Sequence, residues 1–167
     1  MEKLNETIDS KLHSCIMYIL EAKTRFVEHY GYDEVDELID ALSTNGFEEK
    51  ECETLLNEEG QAIKARLNKI KVKAIALDFD KISANDANDF INAVDELHRE
   101  FDYTTMVLID DDEAREGEWT TYGADIIQAN EVIPEYYQNI NEYVDKIENS
   151  LGYLLNKDAV MNKLNLQ

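Results

Sequence analysis

"VKAIALDF", Val72 to Phe79, decides how the rest of the chain is read. It is a short, almost continuous apolar run containing the β-branched residues Val72 and Ile75, and such a run reads as a buried strand. A second run, "YTTMVLID" (Tyr103 to Asp110), reads the same way. Between them Ala87, Phe90/Ile91, Val94, Leu97/His98 and Phe101 recur at helical spacing. Ser83 is placed to cap that helix, and Asp86 three residues later approximates a capping box. Strand, helix and strand in about 39 residues match a parallel βαβ unit with a right-handed crossover. Continuous apolarity implies that both strands are covered on both faces.

Upstream, Leu4, Ile8, Leu12, Cys15/Ile16, Ile19/Leu20, Phe26/Val27 and Tyr30 predict one long helix stopped at Gly31. Asp33 is placed to cap a second helix through Val35, Leu38, Ile39 and Leu42, and Asn45–Gly46 supplies its left-handed stop. A third helix starts at Phe47 and turns Cys52, Leu55/Leu56, Ile63, Leu67 and Ile70 inward, with Gly60 as a weak point.

Downstream, "EWTTYG" (Glu118 to Gly123) is a candidate edge strand. Pro134 fits the first turn of a long helix carrying Ile133, Tyr136/Tyr137, Ile140, Tyr143/Val144, Ile147, Leu151 and Leu154/Leu155. Asp158 is placed to cap a last short helix. The expected fold is therefore α+β and α-rich: a helical hairpin or three-helix unit over residues 1–70, then a small α/β unit over 71–167 with a two- to three-stranded sheet. Together they should form one compact domain.

With 44% hydrophobic residues the chain has enough apolar side chain for a core. No apolar run nears the ~18 residues that mark a membrane-spanning helix. The N-terminus lacks the basic-then-apolar pattern of a secretory signal. Two cysteines, Cys15 and Cys52, lie on apolar helix faces without framework spacing, which points to buried free thiols and a cytoplasmic setting. His13, His29 and His98 are not grouped with each other or with cysteine, so no zinc site is expected. Tyr136, Tyr137, Tyr143 and Tyr153 fit either core or an interface seam, including a homodimer through one long helix.

The formal net charge is −21, from 37 acids against 16 lysines and arginines. That charge disfavours direct contact with nucleic acid or an anionic membrane and favours a basic partner. From Ala74 to Asp145 there are nineteen acids and only Lys81, Arg99 and Arg115 against them. Lys64, Arg66, Lys69, Lys71 and Lys73 form a basic cluster just upstream. On the helix after Ser83, the residues Asp86, Asp89, Glu96 and Glu100 are expected on the face opposite the apolar stripe, with scarcely any i,i+4 cation.

Two motifs offer a different chemistry. "AIALDFDKI" (Ala74 to Ile82) resembles the first motif of haloacid-dehalogenase-type phosphatases. The resemblance implies Asp78 as nucleophile and Asp80 as general acid around Mg²⁺, although Lys81-Ile82 replaces the family's Gly-Thr. "MVLIDDDEAR" resembles the first strand of response-regulator receiver domains, whose acid pair holds Mg²⁺. Only 57 residues follow Asp110, too few for the remaining βα units. In a parallel sheet, Asp78 and Asp80 would stand beside Asp110 and Asp111 at neighbouring strand ends, where four carboxylates could hold Mg²⁺.

The leading expectation is a non-enzymatic binding protein. Acids spaced on a rigid surface imitate a row of phosphates, and the chain is similar in charge and size to DNA-mimic inhibitors of phages and mobile elements. Asp86, Asp89, Asp95, Glu96, Glu100, Asp102, Asp110, Asp111, Asp112, Glu113, Glu116 and Glu118 would occupy the basic nucleic-acid site of a partner in the host cytoplasm, with no cofactor. The alternatives are a Mg²⁺-dependent phosphohydrolase or phosphoryl-accepting domain, and an assembly partner whose acids only keep it in solution.

Overall fold

A computed structural model describes residues 4–79, 81–109 and 126–165. Its elements are α1 (Leu4–His29), α2 (Val35–Thr44), α3 (Glu49–Glu53), a π-helical turn (Thr54–Glu59), α4 (Gly60–Ile75), α5 (Ala84–Ile109) and α6 (Ile126–Asn165). Among the described residues there is no strand, so the fold is all-α and the expected sheet and βαβ crossover are overturned.

The reason lies in the periodicity. Ile63, Leu67, Ile70, Ala74 and Leu77 are all buried and follow i, i+3/i+4 spacing straight into the supposed first strand. Val72 and Ile75, the residues that most suggested a strand, point outward and are 70% and 67% exposed. On an exposed helix face a β-branched residue costs only a few tenths of a kcal/mol, too little to undo packed turns. The second supposed strand is the last turns of α5, since residues 103–109 continue the helix. Neither Gly nor Pro occurs between Gly60 and Gly117, so no such breaker interrupts either run, and α4 ends at Ile75 in a turn made without one. The candidate edge strand at Glu118 to Gly123 lies outside the described residues.

Helices α1, α4, α5 and α6 pack as a four-helix bundle around one continuous core running from Ile8 to Leu154. Cross-helix contacts give the directions. The Asn5 side chain at the start of α1 accepts from the Phe79 N–H and donates to the Leu77 carbonyl, while Gly60 lies against the Ile19 carbonyl, so α4 runs antiparallel to α1. Lys11 pairs with Asp95, and Tyr18 stacks on Phe101 at 5.7 Å, so α5 runs parallel to α1. Glu96 faces Lys146 and Asp86 faces Lys157, so α6 returns antiparallel to α5.

Helix ends follow local chemistry. Gly31 and Gly46 have φ of +85° and +98°. Each closes its helix in the same way: the next N–H, of Tyr32 or Phe47, reaches back to the carbonyl of Val27 or Leu42. Both therefore need glycine. The start of α2 differs from expectation. Glu34, not Asp33, is the N-cap, and the Glu37 carboxylate accepts from the N–H groups of both. Ser83 does cap α5, accepting from the Asp86 N–H at 3.2 Å and donating to the Asp86 carboxylate at 2.9 Å.

Helix α6 is one element of 40 residues. Pro134 lies in its third turn rather than its first, and Asp158 lies inside it rather than capping a separate helix. From Tyr137 the buried positions Ile140, Val144, Ile147, Leu151 and Leu154 alternate three and four apart, the heptad spacing of a coiled-coil seam. That seam spans Gly152, and the buried Ala129 and Ile133 continue the packed face on the other side of Pro134. Among the described residues, no helix is long and apolar enough to cross a membrane.

Candidate functional site: the acidic surface

Of the acids expected on the outward face of α5, Asp89 is there, whereas Asp86, Glu96 and Glu100 stand on its shoulders together with Asp95. Asn85, Asn88, Asp89, Asn92 and Arg99 are exposed, whereas Asp86, Asp95, Glu96 and Glu100 are half-buried beside neighbouring helices. Three of the four are met by a lysine from another helix: Asp86 by Lys157 at 2.6 Å, Glu96 by Lys146 at 3.9 Å, and Asp95 by Lys11. Glu100 is also engaged. The lack of i,i+4 cations along α5 is thus made good by residues distant in sequence, which periodicity alone does not reveal. Asp102 lies on α5. Asp110, Asp111, Asp112, Glu113, Glu116 and Glu118 lie outside the described residues.

The Asp86–Lys157 pair has a pH signature. The hydrogen bond from Lys157, then that from Ser83, holds the Asp86 carboxyl below its ordinary range. Its contribution to stability should be complete above the unfolded carboxyl value of about 3.9 and disappear as pH falls through the lower folded value. Lys157 is raised by the same bond, so on the alkaline side the contribution should persist until pH passes its folded value, above about 10.4. Titration of the Asp86 carboxyl by NMR checks this: Lys157→Ala should move its midpoint upward, and an unmoved midpoint would contradict the pairing.

The basic cluster is likewise divided. Arg66 crosses to α6, where its guanidinium donates to Asn141 at 2.7 Å, Glu148 at 2.6 Å and Asp145. Asn141 donates in turn to Glu59 at 2.7 Å. These bonds, Glu148 first, raise the Arg66 pKa above its already high ordinary value. Lys71 faces Asp9 at 3.7 Å, and Lys69 and Lys73 are exposed. Arg66 holds α4 against α6 through two carboxylates, so Arg66→Ala should cost about 1–2 kcal/mol in low salt. The loss should shrink in molar salt, where screening weakens both the bridge and the leftover repulsion. Urea denaturation at two ionic strengths measures it, and an equal loss at both would contradict an electrostatic role.

Among the described residues, a further acidic surface lies outside the segment that the sequence analysis named. From Glu28 to Glu59 there are twelve acids and one cation, Lys50. Eleven of the twelve are exposed, Glu59 being the exception. Among the described residues, none of these twelve forms an ion pair. They lie at one end of the bundle, on the last turn of α1, the turn after it, α2, the start and body of α3 and the π-helical turn. The charge of this segment, twelve acids against one cation in 32 residues, is visible in the sequence, but the segment lies wholly outside the Ala74–Asp145 stretch.

Beside that end lies an open groove of about 810 Å³ between the α2–α3 corner and α6. Phe47, Leu55 and Pro134 form its apolar lining, with Glu48, Lys50, Glu51 and Thr54 around them.

The strand-end metal site has lost its geometric basis. Asp78 lies exposed in the turn between α4 and α5, 3.8 Å from Lys81. Ile109 closes the other end of α5, about 38 Å away at 1.5 Å per residue, so the helix separates the two motifs that a sheet would have joined. Asp80, Asp110 and Asp111 lie outside the described residues. Among the described residues, no three His, Cys, Asp or Glu side chains are grouped to hold a metal ion.

Cys15 and Cys52 are free and buried. Burial, then the charge of Glu51, pushes the Cys52 thiol up to about 11, which keeps it protonated and a poor nucleophile. His98 is half-buried against Tyr18. Of the tyrosines, Tyr137 is core and Tyr136 packs edge-on against Phe26. Tyr143 is half-buried, Tyr153 is exposed, and each carries a lysine over its ring.

Comparison of the chain with known protein families, curated proteins and solved structures finds no match.

Proposed function

We propose that this protein acts by binding, and that its acidic end occupies the basic nucleic-acid-binding surface of a partner protein. The observation that carries this reading is the carboxylate surface from Glu28 to Glu59, where eleven of twelve acids are exposed and none forms an ion pair among the described residues. Acids used only for solubility gain nothing from crowding at one end, where like charges on a helix repel by a few tenths of a kcal/mol per pair. Held on packed helices, those carboxylates are pre-ordered for lysine and arginine side chains that otherwise meet phosphates. The α5 acids contribute less than their number suggests, because three already face lysines. Asp89 is exposed and extends the negative field along the bundle.

The test is capture of a partner on the immobilised protein at low salt, followed by addition of labelled duplex DNA or RNA to the complex. Nucleic acid should compete with the acidic protein for one surface. A variant with Glu48, Glu49, Glu51 and Glu53 changed to lysine should lose capture while keeping its helical circular dichroism. A complex that binds nucleic acid and the acidic protein together would contradict the proposal.

A further inference from the structure

The groove beside the acidic end has a feature that phosphate imitation does not require: an apolar floor. Phe47 follows the left-handed Gly46 that ends α2, and its N–H is tied back to Leu42, so its ring is held at the corner. Leu55 sits on the π-helical turn, whose extra width leaves Leu55 half-buried at the groove while Leu56 enters the core. Pro134 supplies the α6 wall. Glu48 and Glu51 line the groove with them, and Glu131 and Glu135 are exposed on the neighbouring turn of α6. Among the described residues, Lys50 is the one cation in the lining.

We propose that this groove receives a basic amphipathic helix of a partner protein, with an apolar side chain on Phe47, Leu55 and Pro134 and lysines or arginines on the carboxylates around them. Charge complementarity selects this occupant. A second copy of the chain brings a net charge of −21 to an acidic rim and is repelled, whereas a basic helix is attracted and has an apolar face to bury. The inference rests on the reading of a basic partner and adds that recognition is anchored by apolar contact as well as charge.

The probes are two synthetic peptides of about 18 residues, long enough for five helical turns. Both have the same leucine and lysine composition; one has leucines at helical i, i+3/i+4, i+7 spacing and the other is scrambled. Fluorescence anisotropy with the full chain should show the amphipathic peptide binding at least ~10-fold tighter than the scrambled one. Phe47→Ala should erase that advantage. Thr54→Arg, an exposed change that crowds the groove without touching the core, should do the same. Glu48→Gln with Glu51→Gln should weaken both peptides. Equal binding of the two peptides would overturn the groove and leave the charge-based reading standing, and no binding of either would overturn both. A dimer of the unmixed chain in sedimentation, abolished by Phe47→Ala, would also overturn the proposal by showing that a second copy fills the groove.

Discussion

Phe26→Ala should destabilise the fold by about 3–5 kcal/mol, the range for truncating a fully buried phenylalanine. Phe26 is 1% exposed and sits near the end of α1, where its ring meets Tyr136 edge-on at 5.2 Å and Tyr137 at 6.2 Å. These contacts join α1 to α6 across the bundle. The substitution removes apolar burial and aromatic contacts worth about 0.5–1.5 kcal/mol each, and leaves a cavity. A domain of this size typically has 5–15 kcal/mol in total, so the loss is a large fraction. At about 2–4 °C per kcal/mol, Tm should fall by roughly 6–20 °C. Phe26→Leu should cost far less, since it keeps much of the volume. Thermal and urea denaturation followed at 222 nm measure both variants. An Ala variant within about 1 kcal/mol of the parent would show that this end of the bundle is not packed as described.

Pro134→Ala should change stability in the opposite direction, by about 1–3 kcal/mol. Pro134 is the ninth residue of α6 and has no N–H for the Asn130 carbonyl one turn earlier. A proline there is tolerated because the seam from Tyr137 to Leu154 and the anchors Ala129 and Ile133 hold the helix on both sides. Alanine restores the missing bond and removes the ring clash, so Tm should rise by several degrees. The same change removes the α6 wall of the groove and should weaken the amphipathic peptide. Higher stability with poorer binding would identify Pro134 as a residue kept for the surface it makes. A destabilised variant would instead mean that the neighbouring helices are fitted to the proline geometry.

The helices of the first 70 residues were legible because local and long-range cues agree there. The buried stripe of α1, the left-handed glycines at 31 and 46 and the inward face of α4 all follow from spacing. At Val72 apolar density and period point different ways, the first to a strand and the second to a helix. Ile70, Ala74 and Leu77 continue the helical register, while Val72 and Ile75 face outward. A short apolar run looks alike in a buried strand and in a helix end, and the period carried in from Ile63 and Leu67 is the better guide. The βαβ reading then drew in Tyr103 to Asp110, and with it the aspartate motifs. The phosphatase-like and receiver-like stretches owe their likeness to an apolar run followed by acids, a pattern that a helix ending in a polar turn also produces.

For the site, net charge was legible but its placement was not. Spacing along α5 suggested a free acidic face; the bundle turns those residues toward Lys11, Lys146 and Lys157, which are 84, 50 and 71 positions away from their partners. The Glu28–Glu59 end could have been counted in the sequence, but its exposure depends on how α2, α3 and the π-helical turn sit on the bundle. The groove could not be anticipated, because Pro134 is about 80 residues from Phe47 and Leu55.

The most direct test of the central claim is the salt dependence of affinity for a partner captured on the acidic end, compared with the variant carrying lysine at Glu48, Glu49, Glu51 and Glu53. If carboxylates there take the place of phosphates, affinity should fall by at least ~10²-fold between about 50 and 200 mM salt, and the variant should lose most of both affinity and slope. An affinity unchanged over that range, or a variant that binds as the parent does, would contradict the account.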